Sequence, residues 1–191
     1  MLKLGFLASN NGSSFRAIHA AIESGALDAE ARLVVSNKKE SGALAYAAAQ
    51  DISALFVPAS QDQRLAEALA DSGVELVILS GYLRKLGPLT LAAYRNRILN
   101  IHPALLPAYG GEGFYGRRVH EAVAAAGDRE SGITIHVVDG EYDHGPHIAQ
   151  RRVPLAPGDD AETIERKVVA AEAPFFVETL QRIASGAIQL P

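Results

Sequence analysis

The sequence contains no cysteine, no tryptophan and a single methionine among its 191 residues. Without cysteine, the chain has no disulfide bonds, no thiolate metal site and no cysteine nucleophile. An excess of basic residues is also missing, because 18 Lys and Arg face 22 Asp and Glu, for a formal net charge of −4. General binding to nucleic acid or to a membrane surface needs a basic face, so we expect neither partner.

Long apolar runs are absent too. A membrane-spanning helix needs about 20 consecutive apolar residues, and no segment approaches that length. The apolar start of the chain meets turn residues at Ser9, too early for the core of a signal peptide. The sequence therefore predicts a cytoplasmic protein. At about 150 residues per domain, it predicts one domain over residues 1–191, as a monomer or homodimer.

Short apolar runs alternate with amphipathic or alanine-rich segments such as Gly42–Gln50, a pattern typical of α/β folds. The first five runs are continuous rather than alternating, which favours parallel strands buried on both faces. The predicted strands are Leu2–Ala8, Ala31–Val35, Ser53–Val57, Val74–Leu79, Arg97–Ile101, Ile133–Val138 and His147–Val153. We expect right-handed crossovers and a doubly wound, mostly parallel sheet flanked by helices.

Two helices and one long loop are predicted in the second half of the chain. Val119–Ala126 is helical in pattern and is stopped by Gly127. A last helix begins near Asp160, where acidic residues suit the helix dipole, and Pro174 is predicted to kink or break it. The closely spaced glycines of Tyr109–Gly116 predict an open loop.

A run of small polar residues, Ser9–Ser14, joins the first predicted strand to the first predicted helix. Free backbone N–H groups at a helix N-terminus suit a phosphate, Gly12 allows close approach, and the hydroxyls of Ser13 and Ser14 are donors. An ordinary N-cap by Asn11 or Ser13 is the alternative. This loop carries neither the GxGxxG nor the GxxxxGK pattern. Because open α/β sheets bind ligands beyond their strand ends, we favour an anion site.

Asn100 and His102 lie at the carboxyl end of the fifth predicted strand. Residues two apart on an extended backbone point to the same side. An imidazole that titrates near neutral pH, beside a carboxamide donor, suits acyl transfer. A hydrogen-bonded structural histidine is the alternative interpretation.

Asp143 is a third candidate, in the connection between the last two predicted strands. A carboxylate beside an imidazole raises the pKa of the imidazole, which suits acid–base catalysis, although Asp-x-Gly is also a turn signature. Three histidines near Asp143 admit a metal site as an alternative: His136, His144 and His147. His144 and His147 do not share a helix face in a loop or strand, so we expect no metal.

Together these segments resemble the phosphoribosylglycinamide formyltransferase family over almost the whole chain. The resemblance is carried by Asn100-Ile-His-Pro-Ala-Leu-Leu-Pro107, Ser131-Gly-Ile-Thr-Ile-His136 and Asp143-His-Gly-Pro146, with further support from Asn11-Gly-Ser13. It implies a Rossmann-like formyltransferase fold. It also implies transfer of a formyl group from the co-substrate 10-formyltetrahydrofolate to the primary amine of glycinamide ribonucleotide.

The resemblance further implies roles for individual residues. Asn100 and a protonated His102 would donate hydrogen bonds to the oxyanion of a tetrahedral intermediate, while Asp143 holds and charges His102. The implied substrate contacts are Gly12, Ser13 and Ser14 for the phosphate, with Glu172 as an acidic contact on the last helix. The implied folate-binding positions are Arg64, Leu83, Arg84, Lys85, Leu86 and Asn100.

The sequence departs from the family pattern in three places. Asn10 and Ser14 stand where the phosphate loop usually carries Gly and Asn. Residues 109–120 form a longer loop than is common. Gly140 occupies a position that is usually acidic in the folate loop, with Asp139 one place earlier. We expect these departures to alter the phosphate contacts, the substrate entrance and the backbone that faces the pterin. We expect Asn100, His102 and Asp143 to be unaffected.

Four other functions remain as alternatives. Related formyltransferases act on initiator methionyl-tRNA or on amino sugars, and others hydrolyse the formyl donor. These relatives generally carry a further domain, for which we expect no room in 191 residues. A different class is a non-catalytic sugar-phosphate-binding module, which would not need Asn100, His102 and Asp143 to converge.

Overall fold

A seven-stranded sheet runs through the computed structural model, which describes residues 1–191. The strands are β1 (Leu2–Ala8), β2 (Ala29–Ser36), β3 (Ala54–Phe56), β4 (Leu76–Leu79), β5 (Ile98–His102), β6 (Glu130–Val137) and β7 (His147–Pro154). The helices are α1 (Ser13–Glu23), α2 (Gly42–Ala49), α3 (Asp62–Asp71), α4 (Pro88–Ala93), α5 (Arg117–Ala126) and α6 (Ala161–Ala184). None of these helices has the length and apolar character needed to cross a membrane.

The strand order is β3-β2-β1-β4-β5-β6-β7. The first five strands along the chain pair in parallel, while β6 is antiparallel to both β5 and β7. The prediction of a doubly wound, mostly parallel α/β sheet is therefore confirmed. Because β1 has β2 on one side and β4 on the other, the winding reverses there, and a crevice is expected beyond the carboxyl ends of these strands.

Helices cover both faces of the sheet, and each face has its own apolar core. Successive strand residues point to opposite faces, so Phe6 of β1 packs in the core that includes α1 and α6, whereas Leu7 packs in the core that includes α3. Both side chains are fully buried. This two-sided burial explains why the parallel strands are continuous apolar runs.

The strand boundaries differ from the predicted ones by up to three residues. The most consequential difference is at β5, which extends to His102 rather than ending at Ile101. The extension arises because β6 pairs antiparallel alongside, with His102 opposite Thr134. Antiparallel pairing with a distant segment is not visible in the local pattern of β5.

Helix α4 has no counterpart among the predicted helices. It begins with Pro88 after Gly87, and its free N–H groups are capped from a distance, because the Asp62 carboxylate of α3 accepts from Leu89 (2.7 Å) and Thr90 (3.1 Å). A side-chain cap supplied by another helix leaves no mark in the local sequence. The cap fixes the position of the segment that follows β4.

The sequence predicts that Pro174 kinks or breaks the last helix. A break is wrong, because α6 is one helix of 24 residues that contains Pro174. Proline removes only its own N–H donor, and the ring of Pro174 is exposed. The next two residues, Phe175 and Phe176, are buried and hold this turn of α6 against the core. The predicted end of α5 at Gly127 is confirmed, with Gly127 in the left-handed conformation.

Candidate active site

Asn100 and His102 lie on one side of β5, next to the antiparallel strand β6. Asn100 pairs in register with His136, and His102 is almost fully buried. The loop after β5 is fixed by Thr134 of β6, whose hydroxyl donates to the Ala104 carbonyl at 2.7 Å. The two polar side chains of β5 are thus presented by a rigid strand, and the loop after it is held to β6.

Asp143 reaches these residues from the β6–β7 connection, which the backbone pulls tightly against β6. At Gly145 an added Cβ would lie 1.9 Å from the Val137 carbonyl oxygen, so only glycine fits. Asp143 itself has φ +55°, in the left-handed region that Asp tolerates better than most residues. The backbone N–H of Gly111 donates to the Asp143 carboxylate at 3.1 Å. The carboxylate is therefore held from two sides.

The Asp143 carboxylate bridges two histidines. His102 Nδ1 lies 3.4 Å from Asp143 Oδ2, and His136 Nε2 lies 3.4 Å from Asp143 Oδ1. Asn100 Nδ2 in turn lies 3.2 Å from His136 Nε2. The three residues predicted from the sequence are therefore brought together, with His136 as a fourth member.

Burial controls the protonation of this group. Burial alone would raise the pKa of the Asp143 carboxyl, but the two histidines and the Gly111 N–H outweigh it and hold the pKa below its ordinary value. Burial lowers the pKa of His102, and the opposing charge of Asp143 does not compensate. Asp143 acts to raise the pKa of His102, as expected, but desolvation of the imidazolium is the larger effect, so the net shift of the pKa is downward. The free protein holds an ionised Asp143 beside a neutral His102.

The Tyr109 carbonyl fixes the tautomer of His102. It lies 2.7 Å from His102 Nε2, and since a carbonyl only accepts, Nε2 must carry the proton. Tyr109 is anchored by its hydroxyl, which donates to Asp128 at 2.6 Å. That hydrogen bond raises the pKa of Tyr109 to about 12. In neutral His102 the free lone pair is therefore on Nδ1, facing Asp143.

The polar loop after β1 leaves backbone N–H groups free at the N-terminus of α1. Gly12 has φ +62° and is the N-cap of α1, without a side-chain cap, so neither Asn11 nor Ser13 caps the helix. The Phe15 N–H donates to Ser80 Oγ at 2.9 Å, whereas the N–H groups of Ser13 and Ser14 have no protein acceptor. Ser14 is buried and Ser13 is exposed.

The loop after β1 is also tied to its neighbours. Asn10 Oδ1 accepts from the ammonium of Lys38 at 2.7 Å, so the asparagine that replaces the usual glycine places a cation beside the loop. Ser9 N–H donates to the Gly81 carbonyl at 3.1 Å, which joins the loop to the end of β4. The loop lies two strands from β5, a separation of about 10 Å.

Glu172 lies on α6, which packs against both α1 and α5. Burial raises the pKa of Glu172 to about 7, and the negative charge of Glu165 on the same helix adds to the shift. His120 of α5, which the sequence analysis did not single out, is also buried: burial lowers its pKa, the charge of Glu165 acts to raise it, and its Nδ1 has no partner.

The raised pKa of Glu172 predicts a pH-dependent effect on stability. A carboxyl whose folded pKa exceeds its unfolded value stabilises the fold at low pH and loses that contribution as pH rises from 4.5 to about 7. Glu172→Gln is therefore expected to raise the free energy of unfolding at pH 8 by about 1–3 kcal/mol and to leave it unchanged at pH 4. Urea unfolding at both pH values measures this. The exposed Glu67→Gln variant is the control, and an equal gain at both pH values would contradict the account.

The predicted folate positions are spread over the edge beyond β4. Leu83 is 61% exposed, and its N–H donates to Ser9 Oγ at 2.8 Å. Leu86 is buried in the core on the α3 side, and Lys85 lies over the ring of Tyr142. Arg64 is exposed on α3 and bonds only Gln61. Arg64 is thus exposed, whereas Leu86 is buried.

A cleft of about 360 Å³ lies between α4 and the start of the β6–β7 connection. It is lined by Leu91, Ala92, Arg95, Asn96, Val137, Val138, Asp139, Gly140 and Pro146. Its volume is in the range of small-molecule sites, about 300–1,000 Å³. Val137 and Val138 directly follow His136 along the chain, but neither His136 nor Asp143 lines the cleft. None of the four positions from Leu83 to Leu86 lines it.

The histidines considered for a metal site do not converge. His144 is exposed and contacts Asp139 at 3.1 Å, away from His136. No group of three or more His, Asp or Glu side chains is arranged to hold a metal ion. The sequence offers His136 as a metal candidate and as the end of a family motif, but it does not predict the contacts of His136 with Asn100 and Asp143. The signal that reveals them is the register of β6 on β5, which the sequence does not specify.

A family model described as Formyl transferase matches residues 2–180 of the chain. The phosphoribosylglycinamide formyltransferase of Bacillus subtilis (strain 168) is 36% identical over 190 residues, covering 96% of this chain and 95% of that protein. The chloroplastic phosphoribosylglycinamide formyltransferase of Vigna unguiculata is 39% identical over 193 residues. The alignment covers 97% of this chain but only 62% of the Vigna protein.

Solved structures give the same likeness. The crystal structure of glycinamide ribonucleotide transformylase 1 from Symbiobacterium toebii superposes with a TM-score of 0.88 at 31% identity. The superposition covers 100% of this chain and 94% of that one. The fold is therefore shared over the full length of this chain.

Proposed function

Since this chain belongs to the formyl transferase family, we propose that it transfers the formyl group of 10-formyltetrahydrofolate to the amine of glycinamide ribonucleotide. The family inferred from the sequence motifs is confirmed. The observation that carries the proposed reaction is the convergence of Asn100, His102 and Asp143 at one point beyond β5. A protein that only bound a sugar phosphate would not need a carboxamide, an imidazole and an ionised carboxylate together there.

In this proposal, glycinamide ribonucleotide spans the two polar strand ends. Its phosphate would sit on the free N–H groups of Ser13 and Ser14, where the dipole of α1 and the Lys38 ammonium favour an anion. Its amine would reach Asn100, about 10 Å away across two strands. Glu172, on the helix that packs beside α1, would accept hydrogen bonds from the ribose hydroxyls between these ends.

The formyl donor would approach from the side of β6. The cleft that adjoins Val137 and Val138 offers apolar walls for a flat ring and polar groups at Asp139 and Asn96. We propose that Leu83, Arg84, Lys85 and Leu86, together with Arg64, contribute to the remainder of the folate site, as the family resemblance implies. Gly140 leaves open space at the edge of the cleft, since an added Cβ would meet no atom within 4 Å.

The proposed reaction needs one proton to move from the amine of glycinamide ribonucleotide to N10 of the folate. The amine attacks the formyl carbon, the carbonyl π electrons move to oxygen, and an oxyanion forms on a tetrahedral carbon. When the intermediate collapses, the bond from that carbon to N10 of the folate breaks. The amine has then lost one proton and N10 has gained one, so the site must hold a proton between the two steps.

The charge state of the site suits this task. Ionised Asp143 accepts the proton of the amine, and the neutral His102 beside it has its Nδ1 lone pair 3.4 Å from that carboxylate. A proton shared between these two atoms is available for N10. The Asn100 amide donates to the oxyanion, and removing such a donor typically costs about 10²–10³-fold in rate.

Ser13→Ala tests the placement of the phosphate. Because the Ser13 side chain is exposed at the free end of α1, its loss is expected to raise the KM for glycinamide ribonucleotide by roughly 10-fold, the effect of about 1.4 kcal/mol for a charge-assisted hydrogen bond. The KM for the folate should stay unchanged in steady-state kinetics. Ser24→Ala, at the other end of α1, is the control. A rise in the KM for the folate instead would place the two substrates the other way round.

The reaction itself is tested by following 10-formyltetrahydrofolate spectrophotometrically with and without glycinamide ribonucleotide. The proposal predicts turnover only when the acceptor is present. Equal rates in both samples would indicate a hydrolase of the formyl donor. Binding of the acceptor without turnover would indicate a sugar-phosphate-binding module.

A further inference from the structure

His136 lies between two groups that make opposite demands on its ring nitrogen. Its Nε2 is 3.2 Å from Asn100 Nδ2 and 3.4 Å from Asp143 Oδ1. The His136 side chain is only 3% exposed, so no water competes freely for that nitrogen. An Asn100 N–H needs an acceptor at Nε2, whereas a carboxylate needs a donor, and one atom cannot serve both at once.

The other nitrogen of the ring decides which role Nε2 takes. His136 Nδ1 lies 3.0 Å from the Val137 carbonyl, which only accepts, so Nδ1 carries a proton. Asn100 Nδ2 lies nearer to Nε2, at 3.2 Å, than Asp143 Oδ1 does, at 3.4 Å, so we assign the Nε2 contact to a hydrogen bond donated by Asn100. One N–H of the Asn100 side-chain amide is bound to Nε2. The amide group therefore cannot flip, and its second N–H keeps a fixed direction.

We infer that His136 is a positioning residue that holds the Asn100 amide with an N–H directed at the reacting carbonyl oxygen. The inference rests on the proposed formyl transfer, in which Asn100 donates to the oxyanion. Without His136, the oxygen and nitrogen of the Asn100 amide could exchange places. An amide oxygen facing the oxyanion would repel it instead of stabilising it.

The first test compares two substitutions of His136. His136→Gln keeps a side-chain oxygen that can accept from Asn100, and we expect kcat within about 3-fold of the wild type. His136→Leu removes the acceptor, and we expect kcat to fall by about 10-fold or more, with the KM values of both substrates little changed. His147, the exposed partner of His136 on β7, is the control, since His147→Leu should change kcat by less than 2-fold. Equal losses in the Gln and Leu variants would overturn the inference.

A double-mutant cycle then identifies the residue through which His136 acts. If it acts through Asn100, His136→Leu should cost less than about 2-fold in an Asn100→Ala background. In an Asp143→Asn background the same change should still cost its full factor. A loss that persists in the Asn100→Ala background, or that vanishes only with Asp143→Asn, would overturn the inference.

A readout without turnover separates this inference from the proposed reaction. In the ¹⁵N-labelled protein, the Asn100 side-chain amide should show one N–H with slowed hydrogen exchange in the wild type and in His136→Gln. That protection should be lost in His136→Leu, while the backbone spectrum shows that the variant is folded. Unchanged protection in His136→Leu would contradict the positioning role, whatever the enzyme assay shows.

Discussion

Asp143→Asn is expected to lower kcat by about 10²-fold or more, the usual scale for a group that transfers a proton. The amide cannot accept the proton of the attacking amine, and it removes the negative charge that faces His102 Nδ1 at 3.4 Å. The side chains have the same shape, so the KM values should change much less than kcat. Steady-state kinetics with both substrates varied measures the two effects separately.

His102→Asn should give a loss of similar size, because the same proton then lacks its second site. Asp71→Asn, an exposed substitution at the end of α3, is the matched control and should leave kcat unchanged. A variant of Asp143 or His102 that turns over at nearly the wild-type rate would remove that residue from the mechanism.

Gly145→Ala is expected to lower the free energy of unfolding by at least about 2 kcal/mol, at the upper end of overpacking effects. The added Cβ would lie 1.9 Å from the Val137 carbonyl oxygen, which is a backbone atom and cannot rotate away. The connection must therefore move off β6, carrying Asp143 with it. We expect kcat to fall by about 10-fold or more, since small displacements of catalytic groups are costly.

Gly140→Ala in the same connection is the control for stability. No atom lies within 4 Å of the Cβ that it would add, so urea unfolding should agree with the wild type to within about 0.5 kcal/mol. If both variants were equally stable, the tight contact between Gly145 and β6 would not be what holds the connection.

The parallel part of the fold is predictable from the sequence because its cause is local. Strands buried on both faces must be continuous apolar runs, and Leu2–Ala8 carries that pattern in its own residues. Helix α4 is not predictable in the same way, because the carboxylate that caps it belongs to Asp62 of α3. The same limit explains β5, whose last residue joins the strand through pairing with Thr134.

In the candidate site, too, some features can be predicted from the sequence and others depend on the folded structure. Asn100 and His102 can be found from their spacing on one strand, and Asp143 from its place in a recognisable motif. Their protonation cannot be found this way, because burial of His102, rather than the sequence neighbourhood, lowers its pKa. The same is true of Glu172, whose pKa of about 7 depends on how α6 packs. His136 becomes visible only when the register of β6 on β5 is known.

Transfer of the formyl carbon itself is the central claim, and isotope tracing tests it most directly. The enzyme would be given 10-formyltetrahydrofolate carrying ¹³C in the formyl group, together with glycinamide ribonucleotide, and the products followed by ¹³C NMR. The account predicts that the label appears in the new formamide of the acceptor, one for each tetrahydrofolate formed. Label released as formate, with the acceptor unchanged, would contradict it.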